Sequence, residues 1–158
     1  MKKLAIIVLL LLTCGCQKNI IKNEVSNNNE KYYGYLIVPS INMTYGFYDI
    51  DNDLNNVDKN VTLLNSNIKN TYILAAHSGT GHLAYFNDLR YLKKGNKIHL
   101  KFENNTNEYE IINIRSEPKT GKIKIKNEEN QLILTTCDQI RKGNQLIIEA
   151  TLIDDCTY

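Results

Sequence analysis

Short apolar runs, each cut off by a turn-forming cluster, fill most of this chain and leave it few folds to choose from. They read YYGYLIV before Pro39, TYILAA at 71–76, KIHLKF at 97–102 and EYEIINI at 108–114, followed by QLILTTC and QLIIEATLI. Ile, Leu, Tyr and Thr dominate them, and such residues fit a pleated, half-buried surface. Between them stand KKGN at 93–96, ENNTN at 103–107, KTGK at 119–122 and RKGN at 141–144, all turn chemistry. One segment has a different period. Leu83, Phe86, Leu89 and Leu92 share a helical face and Gly95 follows as a stop, which predicts a short helix with those four side chains turned inward. No internal repeat is present. Many short strands with one or two short helices predict an all-β fold, a closed or nearly closed barrel of about seven to eight strands.

The 158 residues suffice for one domain with a real core and not comfortably for two. The N-terminus falls outside it. MKKLAIIVLLLLTCGC places two lysines before an apolar run from Leu4 to Leu12, then small residues. A bilayer-spanning helix needs about 20 apolar residues, so this run is too short and has the layout of an export signal. Its ending, with Gly15 before Cys16, resembles the lipidation site of bacterial lipoproteins. That resemblance implies a signal over 1–15 and a lipid on Cys16, although Thr13 stands where that family prefers leucine. Residues 16–32 are polar and Asn-rich, with no hydrophobic period. As a flexible coil they would span roughly 20 Å, enough to tether a domain at 33–158 near the outer face of a membrane. Removal of Lys2 and Lys3 leaves 17 basic against 17 acidic residues. A near-neutral chain lacks the basic footprint of a nucleic-acid binder.

Four cysteines look like an even disulfide set, but Cys14 and Cys16 belong to the signal region. Cys137 and Cys156 remain. A disulfide between them is possible in an exported protein, though Cys156 lies near a terminus. No CxxC pair or His/Cys cluster has zinc spacing. DIDND at 49–53 lacks the glycine and distal glutamate of a calcium loop and reads as a solvated loop. No metal or other cofactor is called for. His77 follows a strand and opens the Gly-rich SGTG loop, while Cys137 ends another strand. Strand ends on one barrel rim can bring such residues together, and an imidazole beside a thiol makes a nucleophile. Spacing alone fits a small buried thiol and a surface histidine better than a catalytic pair.

Longer words narrow the choice. YGYLIVPSINM, LAAHSGTGHLAYFNDLRYLKKGNKIHL and LILTTCDQ…QLIIEATL, in this order, resemble the sortase family. Sortases are cysteine transpeptidases that attach proteins to the Gram-positive cell wall or join pilins. The resemblance implies that His77 is the family's histidine and that Cys137, last in ILTTC, is its nucleophile. Thr136 would then contact the substrate backbone. The family's arginine opens the strand after the cysteine, and here Gln145 holds that place. Arg141, in the preceding turn, either reaches back to replace it, with Gln145 as a secondary polar contact, or is a solvated turn residue. The implied reaction cleaves a C-terminal LPxTG-type motif through a thioacyl enzyme. An amine on peptidoglycan, a pilin or another surface protein resolves that intermediate. Two other classes remain open: a cysteine hydrolase with water as acceptor, and a catalytically weak lipoprotein that binds wall peptides.

Overall fold

The computed structural model describes residues 31–157, with side chains through 154. The export signal, the lipidation site at Cys16 and most of the tether lie outside the described residues. Eight strands form one sheet: β1 Gly34–Val38, β2 Met43–Phe47, β3 Thr62–Leu64, β4 Tyr72–Ala75, β5 Lys97–Lys101, β6 Asn105–Pro118, β7 Gln131–Cys137 and β8 Asn144–Thr157. Their order is β2-β1-β5-β6-β8-β7-β4-β3. A single parallel bridge, Phe47 to Val61, joins the β2 edge to the approach of β3 and nearly closes the barrel. All pairings but one are antiparallel; β4 and β7 run parallel, with Ala75 opposite Thr135.

Alternation of side chains across each strand builds the inside. Leu36, Val38, Met43, Phe47, Leu74, Ile98, Leu100, Leu132, Leu134, Ile148 and Ala150 all join one buried cluster. Gly34 is required where β1 crosses Phe47: a Cβ there would come within 2.7 Å of the Phe47 ring. A second, smaller cluster forms on the outer surface. Ile73, Ile133 and Ile147 are buried there under Leu64, Ile123 and Ile125. These last two belong to the 119–130 connection between β6 and β7, which therefore folds over the outside of the barrel.

A bulge decides what stands next to that outer cluster. Ile111 pairs with Ala150 and Asn113 with Glu149, so Ile112 is an extra residue on β6. The added residue reverses the alternation. Tyr109 and Ile111 point inward before it and Ile114 after it. Asn113, Arg115 and Glu117 consequently face outward beside Glu149 and Gln145 on β8.

The expected helix over Leu83–Leu92 is instead a 3-10 helix confined to Asn87–Tyr91, and a second one spans Pro39–Ile41. Phe86, Leu89 and Leu92 are buried as expected, and Leu83 is half-buried. Spacings of three residues match the tighter 3-10 period, in which i and i+3 eclipse, better than an α-helix. β2 and β3 went unread in the sequence. Among the described residues no helix is long and apolar enough to cross a membrane.

Candidate active site

The parallel β4–β7 pair delivers two chain segments to one rim. Beyond the last paired residues, the Ala76 amide still donates to the Thr135 carbonyl, at 3.4 Å. Thr136 Oγ1 donates to the Ala76 carbonyl at 2.8 Å, and Ser78 Oγ donates to the Cys137 carbonyl at 2.6 Å. His77, between Ala76 and Ser78, therefore leaves the sheet beside Cys137. The alternation that puts Leu74, Leu132 and Leu134 inside puts Ile73 and Ile133 outside, and His77 and Cys137 continue that outer register.

Cys137 is a free, half-buried thiol. It pairs with Gln145 at the start of β8, while Cys156 pairs with Thr106 at the far end of that strand, so no disulfide joins them. The His77 ring is about half exposed, and its Nε2 lies 3.1 Å from Asp58 Oδ1. The His77 carbonyl accepts from the Phe86 amide at 3.0 Å, which ties the histidine loop to the buried 3-10 segment.

Around the thiol runs a cavity of about 240 Å³ lined by Ser78, Arg90, Ser116, Cys137, Ile140 and Arg141, among others. Its lip is the 138–143 turn. Asp138 Oδ1 accepts from the amides of Ile140 (2.8 Å) and Arg141 (3.2 Å), and Oδ2 accepts from Ser116 Oγ at 2.6 Å. Burial works to raise the Asp138 carboxyl. The Ser116 hydroxyl, those two amides and the Arg141 charge outweigh it and hold the carboxyl below its ordinary range. Gly143, at φ +83°, reverses the chain into β8. Arg90 donates to Gln139 Oε1 at 2.7 Å and lies over the Tyr91 ring, which stiffens the opposite wall.

A larger cavity, about 570 Å³, opens at the other end of the barrel among Tyr32, Tyr33, Tyr35 and Phe102. No cysteine or histidine lines it.

The residues singled out in the sequence meet different fates. His77 and Cys137 share the rim. Arg141 lines the groove. Thr136 is buried, with its hydroxyl committed to Ala76, so it clamps the parallel pair together. Gln145 lies across from Cys137 but is buried; its Nε2 donates to Glu117 Oε1 at 3.0 Å and to the Lys122 carbonyl at 2.9 Å. It fastens the 119–130 connection to the barrel. Arg115 does the same from β6 by donating to the Lys124 carbonyl as well as to Glu117 and Glu149.

Two polar neighbours of the pair were not foreseen. Asp58 sits in an Asn/Asp-rich loop whose composition reads only as solvated. Lys119 Nζ lies 3.3 Å from Cys137 Sγ. In the sequence Lys119 is merely the first residue of the KTGK turn.

The parallel pair thus brings the chain segments that carry a free cysteine and a histidine to one rim of the barrel. Residues 36–153 match the Sortase domain model, and the chain belongs to the sortase family. The fold is similar to sortase A of Listeria monocytogenes, at 23% identity and a TM-score of 0.67 over 80% of this chain and 90% of that one. It is also similar to sortase C-3 of Streptococcus pneumoniae, at 20% identity and 0.67 over 85% and 68%. Sortase C1 of Streptococcus suis matches at 22% identity and 0.66 over 79% and 74%. No curated protein matches the chain. The family is one of cysteine transpeptidases acting at the Gram-positive cell surface.

Proposed function

We propose that this protein is a transpeptidase that cleaves a C-terminal LPxTG-type sorting motif and passes the acyl group from Cys137 to an amine on peptidoglycan, a pilin or another surface protein. The observation that supports this reading is the parallel β4–β7 register, whose Ser78 and Thr136 hydrogen bonds bring the segments of His77 and the free Cys137 to one rim.

The chemistry follows from the residue types. The Cys137 thiolate adds to the scissile carbonyl, forming a C–S bond. The C–N bond breaks as His77 protonates the leaving amine. His77 then takes a proton from the incoming amine, which attacks the thioester and frees the thiol. Asp58, against Nε2, orients the imidazole and leaves Nδ1 to exchange the proton. Arg141, on the lip, anchors the peptide in the groove, and exposed Ile140 offers it apolar surface. A lipid on Cys16 and the tether behind it hold the domain at the outer face of the membrane.

The test is intact-mass analysis of the protein incubated with a sorting-motif peptide. A thioacyl adduct on Cys137, discharged by an added amine, supports the reading. Discharge at one rate with or without amine makes the protein a hydrolase. Gln145 favours a second reading, a weakly catalytic wall-peptide binder, because its amide brings no charge to the site. Binding of the peptide without any adduct would establish that alternative.

A further inference from the structure

Acyl transfer through a thiolate gains from positive charge or hydrogen-bond donors in two places: beside the sulfur before attack, and beside the carbonyl oxygen as the tetrahedral adduct forms. The β8 residue across from Cys137 is Gln145, which is neutral and has its amide nitrogen donating to Glu117 and to the Lys122 carbonyl. The next cation on the outer face is Arg115, committed to Glu149, Glu117 and the Lys124 carbonyl. Neither has donors turned toward the thiol.

Lys119 does. Its Nζ is 3.3 Å from Cys137 Sγ. Its backbone is fixed by the last rung of the β6–β8 ladder, where Pro118 pairs with Asn144 and the Lys119 amide donates to the Gly143 carbonyl at 2.8 Å. Among the described residues Lys119 forms no ion pair, and its ammonium meets the thiol instead.

We propose that Lys119 is a catalytic residue of this protein, the cation that faces the Cys137 sulfur and then the oxyanion of the adduct built on it. The inference rests on Cys137 being the nucleophile. The oxyanion lies two bonds from Sγ, within reach of an ammonium already in contact with that sulfur. Lys119 stays protonated throughout. The sulfur lone pair forms the C–S bond, the carbonyl π pair moves to oxygen beside Nζ, and collapse returns that pair as the C–N bond breaks and His77 supplies the proton. A lysine suits this post because its ammonium is a compact charge on a flexible stem, able to follow charge from sulfur to oxygen.

The experiment uses the full chain and two readouts. The first is single-turnover acylation with a sorting-motif peptide. Lys119→Met should slow acylation about 100-fold, the loss expected for one oxyanion donor. Peptide affinity should change little, and Lys119→Arg should keep most of the rate. The second needs no substrate. Iodoacetate is anionic and iodoacetamide neutral, so a cation at Sγ favours the former. Lys119→Met should lower the ratio of their alkylation rates at Cys137, whereas Arg141→Ala should change it less. A parent enzyme that acylates, together with a Lys119→Met variant of unchanged acylation rate and unchanged alkylation ratio, overturns the role of Lys119 and leaves the transpeptidase reading standing. A parent that forms no thioester overturns that reading, while the alkylation ratio still tests the contact. Peptide found on Lys119 after hydroxylamine treatment would also overturn the proposal, since it makes the lysine an acyl acceptor.

Discussion

The two faces of β7 and β8 follow opposite rules. Inward, Leu132, Leu134, Ile148 and Ala150 are fully buried among apolar neighbours and carry no chemistry. Outward, Ile73, Ile133 and Ile147 form a small apolar patch under Leu64, Ile123 and Ile125, and polar residues flank it along the strands: Cys137 and Gln145 toward the rim, Glu149 on the other side, Arg115 and Glu117 from β6. Glu149 is buried yet accepts from Asn113 and Arg115, so its charge is matched where it stands. The inner face needs only the right volume. The outer face needs particular donors and acceptors in register, and the bulge at Ile112 supplies that register. Stability should therefore follow the inner face and activity the outer one.

Substitutions at the rim give the largest contrast. Cys137→Ala should abolish acylation, and His77→Ala should slow it on the order of 10²–10⁴-fold. Both should leave the thermal midpoint close to the parent value in calorimetry. A rim variant that unfolds the protein would erase the distinction between the faces. Leu134→Ala is the mirror case. A cavity in the barrel should cost about 2–5 kcal/mol in denaturant unfolding, while the folded fraction should acylate at nearly the parent rate.

Gln145 belongs to the outer face but should behave as a fastener. Gln145→Ala removes two hydrogen bonds and should cost roughly 1–2 kcal/mol. It should also raise amide exchange across 119–130 more than elsewhere. Gln145→Arg restores the family's residue type, yet it breaks the same ties and should not exceed the parent rate. A faster Gln145→Arg variant would place the charge back on β8.

The smallest effect concerns the lip. Asp138 is held below its ordinary range, so it contributes stability that is present above about pH 4, the unfolded aspartate value, and is lost as pH falls through the depressed folded value. The difference in thermal midpoint between parent and Asp138→Asn should be seen at neutral pH and shrink as the solution is acidified below that value. A difference that grows on acidification would contradict the assigned hydrogen bonds.

Much of the inner face is legible in the sequence, because alternation of apolar residues marks it directly. β3 escapes notice because three residues cannot display a period, and β2 because Gly46 interrupts MTYGF. The Phe86–Leu92 segment shows its buried side chains but not its pitch, since a spacing of three suits a 3-10 turn and an imperfect α-helical stripe alike. For the outer face, Cys137 and His77 are legible only through family words. Lys119 is hidden because its partner lies across a hairpin end. The role of Gln145 is hidden because Glu117 faces it only after Ile112 shifts the register. Long-range pairing of this kind leaves no mark in local composition.

On the proposed mechanism Cys137, on the outer rim, carries the acyl group. The most direct measurement is peptide mapping of the protein after brief reaction with a sorting-motif peptide, quenched in acid. The acyl fragment is expected on Cys137 as a thioester, labile to hydroxylamine and discharged by an added amine. A parent protein that binds the peptide yet shows no modification of Cys137 at any time point would contradict it.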